Sequence, residues 1–176
     1  MKQSTQAQKG QIIVLFALVL VGLIAFAGLA IAGAMVYSAR RFDQSNADGA
    51  ALAGAGAAGN TMQMRDIFFF RDFNCGDFNI SGSKMNAVKH DAIDAAIARA
   101  GANSVALDND ISDGHGVVVR CVNNGNAWQN RYIEVEVQVT SVTDTSFSQI
   151  VNDAPRQNTA TAIARLYPPN TAPHGN

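Results

Sequence analysis

The side chains that could carry out chemistry are few in this chain and stand far apart. The three histidines are His90, His115 and His174, and no two of them have the spacing of metal ligands. No glycine-rich phosphate loop, G-x-S-x-G motif or C-x-x-C motif occurs in the sequence. We therefore expect no catalytic site, no metal and no cofactor, and we predict that the protein is not an enzyme.

The acidic side chains are concentrated in one short segment and on one later strand. Residues 108–114 read DNDISDG, with the alternating oxygens of a calcium loop. However, Gly114 comes one position late for an EF-hand, and Val119 stands where the bidentate Glu is required. A solvated turn is the expected structure, and a bound cation is the alternative. Glu134 and Glu136 share one face of a strand, from which they point to solvent or to a partner.

The two cysteines, Cys75 and Cys121, are candidates for a disulfide. Both lie in the large polar part of the chain, and a stable bridge requires that this part reach an oxidising compartment. Because the two positions are far apart in sequence, a bridge would close a long loop and restrict the unfolded chain.

Charge is distributed unevenly along the chain, although the formal net charge is only -1. No charged residue occurs from Gly10 to Ala39, and every acidic residue lies at or after Asp43. A helix over Ile12–Val36 would be roughly 37 Å long at about 1.5 Å per residue, enough to cross a bilayer with some tilt. A cleaved signal peptide is the alternative, but its apolar stretch is shorter, about 7–15 residues. The net charge gives no reason to expect nucleic acid as a partner.

The orientation of this span does not follow from its basic flanks, because Lys2 and Lys9 precede it while Arg40 and Arg41 follow it. The large polar part of the chain comes after the span. We therefore expect a cytoplasmic N-terminus, a membrane-embedded helix and an exported C-terminal domain.

Small residues line one side of the predicted span. At steps of three or four they allow helix backbones to approach closely in lipid. The stripe consists of Gly22, Ala25, Gly28 and Ala32. The alternative is that Ala and Gly are simply common in membrane helices.

The helix is expected to continue beyond the membrane, because no proline occurs before Pro155. Residues 49–59 read GAALAGAGAAG, in which each Gly costs a helix about 1 kcal/mol relative to Ala. Such a stretch suits close packing against a sheet or a neighbouring copy. We predict a continuous helix over about 11–58, with its membrane span over about 12–36, after a leader or cytoplasmic segment over 1–10.

The rest of the chain, 59–167, has the pattern of a small α+β domain, followed by a loose tail over 168–176. Ser83 is placed to cap a second helix that ends near Gly101. Its apolar stripe comprises Met85, Val88, Ala92, Ala96 and Ala100. A period of two over 117–122, 132–139 and 159–166 predicts three antiparallel strands. Residues 104–107 add a possible fourth strand at the edge.

Phenylalanines are concentrated in the irregular segment before the second helix. They form either a local core under a loop or a contact surface for an identical subunit. The cluster consists of Phe68, Phe69, Phe70, Phe73 and Phe78.

The N-terminal third resembles the first module of the TadE/TadG-like (tight-adherence, Flp-type) pilus-assembly family. The matching features are KGQIIVLFAL at 9–18, the apolar span, the basic pair at 40–41 and QSNADGAALAGA at 44–55. The resemblance implies a type IV pilin-like fold and a membrane-anchored protein of a surface filament. It also implies cleavage by a prepilin peptidase at the bond between Gly10 and Gln11. Leu15 stands where pilins usually carry a Glu.

Three functions are consistent with these features. The first is a structural pilin-like subunit whose helix packs against copies of itself or of related pilins, and which reaches an extracellular filament. The second is a membrane-bound assembly factor that contacts the secretion machinery and never enters the fibre. The third is an anchored binding module outside the cytoplasm that recognises a ligand or cation.

Overall fold

The computed structural model describes residues 5–67, 73–124, 131–143 and 156–168. Within these ranges, three helices and three strands follow one another. The elements are helix α1 (Thr5–Met64), a single-turn 3₁₀ helix (Cys75–Asn79), helix α2 (Lys84–Gly101), and strands β1 (Gly116–Asn123), β2 (Arg131–Thr143) and β3 (Arg156–Leu166). This confirms the predicted α+β class, with a long N-terminal apolar helix, a second helix and an antiparallel sheet.

The chain divides into two units. One consists of Met1–Ala39 and Val142–Arg156, and the other of Arg40–Ser141 and Gln157–Asn176. The second unit contains the hydrophobic core.

Helix α1 is longer than the predicted range, starting at Thr5 and ending at Met64. The glycines near residue 58 do not end it; the backbone of Asp66 does, with a φ of 53° in the left-handed region. The Ile67 N–H donates to the Met62 carbonyl (2.9 Å) and the Asp66 N–H donates to the Gln63 carbonyl (3.3 Å). This is the Schellman arrangement, and the buried side chains of Ile67 and Met62 supply the apolar contact that accompanies it.

Helix α2 forms as predicted. The Ser83 hydroxyl accepts the Asn86 N–H at 2.9 Å and so satisfies one of the free donors of the first turn. All five residues of the predicted apolar stripe are buried. Their spacing of three and four puts them on the face that meets the core.

The sheet has the strand order β1-β2-β3. Strands β1 and β2 are antiparallel, with Val117 opposite Val137 and Val119 opposite Val135 on the buried face. The same register places Arg120 opposite Glu134 on the outer face. One face of the sheet is therefore apolar and the other charged, as the period of two predicts.

The predicted edge strand over 104–107 is wrong for the described residues. The backbone there is still leaving α2, because Ser104 has a φ of 62° and the Val105 N–H donates to the Ala100 carbonyl at 3.0 Å. Asp108, one residue later, makes an isolated parallel bridge to Gly116.

Candidate functional site

The apolar part of α1 presents its large side chains outward. An 18-residue window of this helix has a mean hydropathy of 3.1, and none of it is buried. Leu18 and Phe26 are examples, with 69% and 75% of their surfaces exposed. By length and composition this helix can cross a membrane.

The predicted small-residue stripe lies on one side of this exposed stretch. At about 100° per residue, Gly22, Ala25, Gly28 and Ala32 fall within roughly a third of the helix circumference. A methyl group added at Gly22 would meet no atom within 4 Å. The backbone at Gly22 is therefore open to a close neighbour, and a role in packing between copies stays a prediction.

The predicted cleavage bond joins two residues of the same helix. Gly10 and Gln11 both lie within α1, five and six residues after Thr5. Cleavage there also stays a prediction.

The Ala/Gly segment at 49–59 packs inside the chain itself. Ala50, Ala51 and Ala58 are buried on the face of α1 that belongs to the core. At Gly54 the approach is closest, because an added Cβ would stand 2.9 Å from the carbonyl oxygen of Ala92 on α2 and 2.9 Å from Cγ1 of Val135 on β2. The segment was predicted to pack against a sheet or against a neighbouring copy, and the described contacts are with the sheet and the second helix of the same chain.

Another face of the same helix segment remains exposed. Leu52 is 67% exposed and Phe42 is 55% exposed, while Gly56 has nothing within 4 Å of an added Cβ. One side of residues 42–56 thus builds the core and another is available for contact.

The two candidate cysteines are brought together. Cys75 and Cys121 form a disulfide with their Cα atoms 5.3 Å apart, which ties the 3₁₀ helix to β1. Beside it, Phe73 and Phe78 are buried in the core. These two phenylalanines therefore form a local core, whereas the predicted members Phe68, Phe69 and Phe70 lie outside the described residues.

A polar pocket lies at the start of the second unit. It encloses about 340 Å³ and is lined by Arg40, Asp43, Gln44, Gln157, Asn158, Thr159 and Ala160. The Arg40 Nε donates to Asn158 Oδ1 at 3.1 Å, and the Ser141 hydroxyl donates to the Asp43 carboxylate. The sequence does not predict this pocket. Arg40 and Asp43 are three positions apart on a helix, and this spacing does not indicate that β3 completes the lining.

The outer face of the sheet carries alternating charges. Arg120 pairs with Glu136 and also approaches Glu134 (3.7 Å), while Arg165 Nε bonds Glu134 at 2.9 Å. The hydrogen bond from Arg120 lowers the pKa of Glu136, and the bond to Glu134 raises the pKa of Arg165. The two glutamates, predicted to face solvent or a partner, are engaged within the sheet.

Of the three histidines, His115 has structural partners. His115 accepts the Thr140 N–H at Nδ1 (3.0 Å) and its Nε2 bonds the Ala106 carbonyl, so the ring links the loop before β1 to β2. His90 is exposed on α2, and His174 lies outside the described residues.

The acidic segment forms a turn. Asp110 accepts both the N–H (2.9 Å) and the hydroxyl (3.0 Å) of Ser112, and these bonds lower the pKa of Asp110. Among the described residues, no group of three or more His, Cys, Asp or Glu side chains could hold a metal ion.

Comparison with known proteins identifies one relationship. Residues 10–58 match the family model described as putative Flp pilus-assembly TadE/G-like. No curated protein and no solved structure matches the chain. The matched range covers most of α1, including the exposed apolar stretch and the Ala/Gly segment, and it confirms the TadE/TadG-like resemblance over those residues.

Proposed function

Residues 10–58 carry a TadE/G-like pilus-assembly segment, and on that basis we propose that the chain is a structural, pilin-like subunit of a surface filament. The observation that carries the proposal is the exposed apolar stretch of α1, which has no apolar partner among its own described residues. Such a surface is stable only in lipid or against neighbouring helices. The family is one of pilus assembly and not of enzymes, so protein–protein contact is the function that the segment serves.

In this proposal α1 has two successive environments. Before assembly, residues of about 12–36 span the cytoplasmic membrane, with the N-terminus on the cytoplasmic side. In the fibre, the same residues pack against copies of the chain or of a related pilin. The Gly22–Ala32 stripe supports this, because small residues let helices approach closely without a change of side-chain packing.

The position of the second unit outside the cytoplasm is supported by the disulfide. A bridge between Cys75 and Cys121 persists in an oxidising compartment and is rare in the cytosol. The proposed domain organisation therefore exports the α+β domain (59–167) and the tail (168–176), and leaves residues 1–10 as the leader or cytoplasmic segment.

Two classes of partner follow. A prepilin peptidase would cut the bond between Gly10 and Gln11, and the assembly machinery would move the mature chain from the membrane to the fibre. The assembly factor that stays in the membrane is the competing function, and it differs in requiring no contact between copies along the stripe.

One pair of identical substitutions tests the stripe. Ala25 and Ala27 are both exposed on α1 and lie about 200° apart around the helix. We expect Ala25→Leu to reduce the amount of this protein in sheared filaments severalfold, because a bulky side chain separates the helix backbones. Ala27→Leu, on the opposite side, is expected to leave that amount near the wild-type value.

Immunoblots of sheared filaments and of membranes measure how much of each variant is incorporated and how much stays in the membrane. Equal incorporation of the two variants would contradict packing along the stripe. If normal filaments form but do not contain the wild-type protein, the chain is an assembly factor and not a filament subunit.

A further inference from the structure

The turn between the 3₁₀ helix and α2 contains a three-residue pattern that matches the acceptor of asparagine-linked sugars. The pattern is Asn, any residue except Pro, then Ser or Thr, and residues 79–81 read NIS. No other asparagine of the sequence has Ser or Thr two positions after it. The pattern therefore singles out Asn79.

The backbone that follows Asn79 forms an exposed turn. Ile80 is extended, with a φ of −86° and a ψ of 116°, and its carbonyl accepts the Ser83 N–H at 3.1 Å. Gly82 has a φ of 80°, the left-handed conformation that glycine supplies in tight turns. Asn79, Ile80 and Ser81 are all exposed. The whole acceptor pattern is thus accessible at the surface, as a modification site in a folded chain must be.

The amide of Asn79 is bonded at its oxygen and open at its nitrogen. The Lys89 ammonium donates to Oδ1 of Asn79 at 2.9 Å. Among the described residues, Nδ2 of Asn79 has no hydrogen-bond partner. Asn74 differs, because its Oδ1 accepts the Gly76 N–H and its Nδ2 donates to Asp77. The atom to which a sugar is attached is therefore free at Asn79 and engaged at Asn74.

The location of the turn also suits this modification. Asparagine-linked sugars occur on surface loops of exported proteins, so this step rests on the proposed export of the α+β domain. Cys75 lies four positions before Asn79, and its bridge to Cys121 persists only in an oxidising compartment. The segment that carries the acceptor is thus the segment that the disulfide joins to β1.

We propose that Asn79 is glycosylated in the exported protein, by a membrane-bound oligosaccharyltransferase that uses a lipid-linked sugar diphosphate. A bond forms between Nδ2 of Asn79 and the anomeric carbon of the first sugar. The bond between that carbon and the phosphate oxygen of the donor breaks. The lipid diphosphate leaves with the bonding electron pair, and Nδ2 loses one proton. The transfer involves no oxidation or reduction.

A glycan at Asn79 also assigns one surface of the domain in the proposed filament. An attached sugar chain is bulky and strongly hydrated. The turn over 79–82 then lies on the outer surface of the filament, and contacts between copies are made through other parts of the chain.

Mass spectrometry of the full chain, purified from the cells that produce it, tests the proposal. After reduction and digestion with trypsin, the acceptor lies in the peptide 72–84. We expect this peptide to carry the mass of a sugar chain, and electron-transfer fragmentation to place that mass on Asn79 and not on Asn74. A wild-type peptide without added mass would overturn the proposal, and so would a sugar on Ser81 or Ser83.

Two substitutions at one position separate the acceptor pattern from the local structure. Ser81 is exposed, and its side chain makes no hydrogen bond among the described residues. Ser81→Ala destroys the pattern and should abolish the added mass, whereas Ser81→Thr preserves the pattern and should keep it. Asn79→Gln should also abolish the mass, although its amide is still available to Lys89. Unchanged thermal unfolding verifies that the variants fold. Retention of the sugar in Ser81→Ala, or its loss in Ser81→Thr, would contradict the assignment.

Two further measurements distinguish a failure of this proposal from a failure of the proposed function. If sheared filaments contain the wild-type chain with an unmodified peptide 72–84, the glycosylation is wrong and the subunit assignment stands. If an antibody against the α+β domain binds spheroplasts only after their membrane is permeabilised, the domain is not exported. The proposed function then fails, and the glycosylation fails with it.

Discussion

At the scale of single residues, Gly54 determines how closely α1 approaches the rest of the second unit. Its missing side chain leaves room for the Ala92 carbonyl and for Val135, both of which would stand 2.9 Å from a Cβ. The Ala92 carbonyl is backbone and cannot move without shifting α2. The close contact of two helices and a strand therefore depends on this one glycine.

We predict that Gly54→Ala destabilises the protein by about 2 kcal/mol, because the added methyl forces backbone apart in a packed core. Gly56→Ala is the matched control, since Gly56 is exposed in the same helix with nothing within 4 Å of the added Cβ. It should stabilise the protein by up to about 1 kcal/mol through helix propensity. Denaturant unfolding in detergent measures both, and equal effects would contradict the described packing at Gly54.

Glu136 gives the outer face of the sheet a dependence on pH. Its pKa is lowered below the ordinary value of 4.5 because Arg120 donates a hydrogen bond to it. A lowered folded-state pKa means that the stabilisation is complete above the unfolded value and is lost as the pH falls through the folded one. The effect is at most about 1 kcal/mol, because the Arg120 side chain is 45% exposed.

We therefore predict that acidification from pH 6 to below pH 4 destabilises the wild type more than Glu136→Gln. Chemical unfolding at a series of pH values measures this difference. Arg120→Gln should remove the same pH-dependent part of the stability. The double variant should lose no more of it than either single variant. If the free energy of unfolding of Glu136→Gln changes with pH in parallel with that of the wild type, the Arg120–Glu136 pair does not contribute to the pH dependence of stability.

At the scale of secondary-structure elements, the disulfide stabilises the segment between α1 and α2. This segment contains the single-turn helix and the buried Phe78, and it is joined to β1 through Cys121. Noncovalent contacts add to it, such as the hydrogen bond that the Ser83 hydroxyl donates to the Asp77 carbonyl. The bridge is the covalent link that holds this segment on the sheet.

We predict that replacing Cys75 and Cys121 together by Ser destabilises the protein by about 4 kcal/mol, the loop-closure value for cysteines 46 positions apart. Thermal unfolding with and without reductant measures this, and reductant should have no effect on the double variant. If reduction leaves the wild-type transition unchanged, the bridge is not part of the native protein.

The elements could be predicted where a local pattern specifies them. The spacing of Met85, Val88 and Ala92 set the buried face of α2, and Ser83 set its start. Alternating valines set the strands in the same way. The end of α1 could not be predicted, because it depends on a left-handed Asp66 and on burial of Ile67, for which no glycine gives a signal.

The sites were less predictable than the elements, because they depend on contacts between distant parts of the chain. The pairing of Cys75 with Cys121 was one open possibility in the sequence and is a defined bridge in the structure. The pocket around Arg40 needs Asn158 from β3, which no local pattern associates with it. The composition of the Ala/Gly segment is compatible with packing against a sheet or a neighbouring copy, and the contacts at Gly54 show that it packs against α2 and β2.

At the scale of the whole molecule, α1 serves two purposes along its length. Its segment from Arg40 to Met64 contributes Ala47, Ala50 and Ala58 to the core of the second unit. Its segment from Ile12 to Val36 has large apolar side chains that are exposed. An apolar helix surface that stays exposed beside a folded core is the arrangement expected of the proposed filament subunit.

The most direct test of the subunit assignment is the N-terminal residue of the protein in sheared filaments, determined by top-down mass spectrometry. If the chain is a processed subunit, the fibre fraction contains a species that begins at Gln11, and the membrane fraction contains the precursor. A protein found only in the membrane, still beginning at Met1, would contradict the assignment.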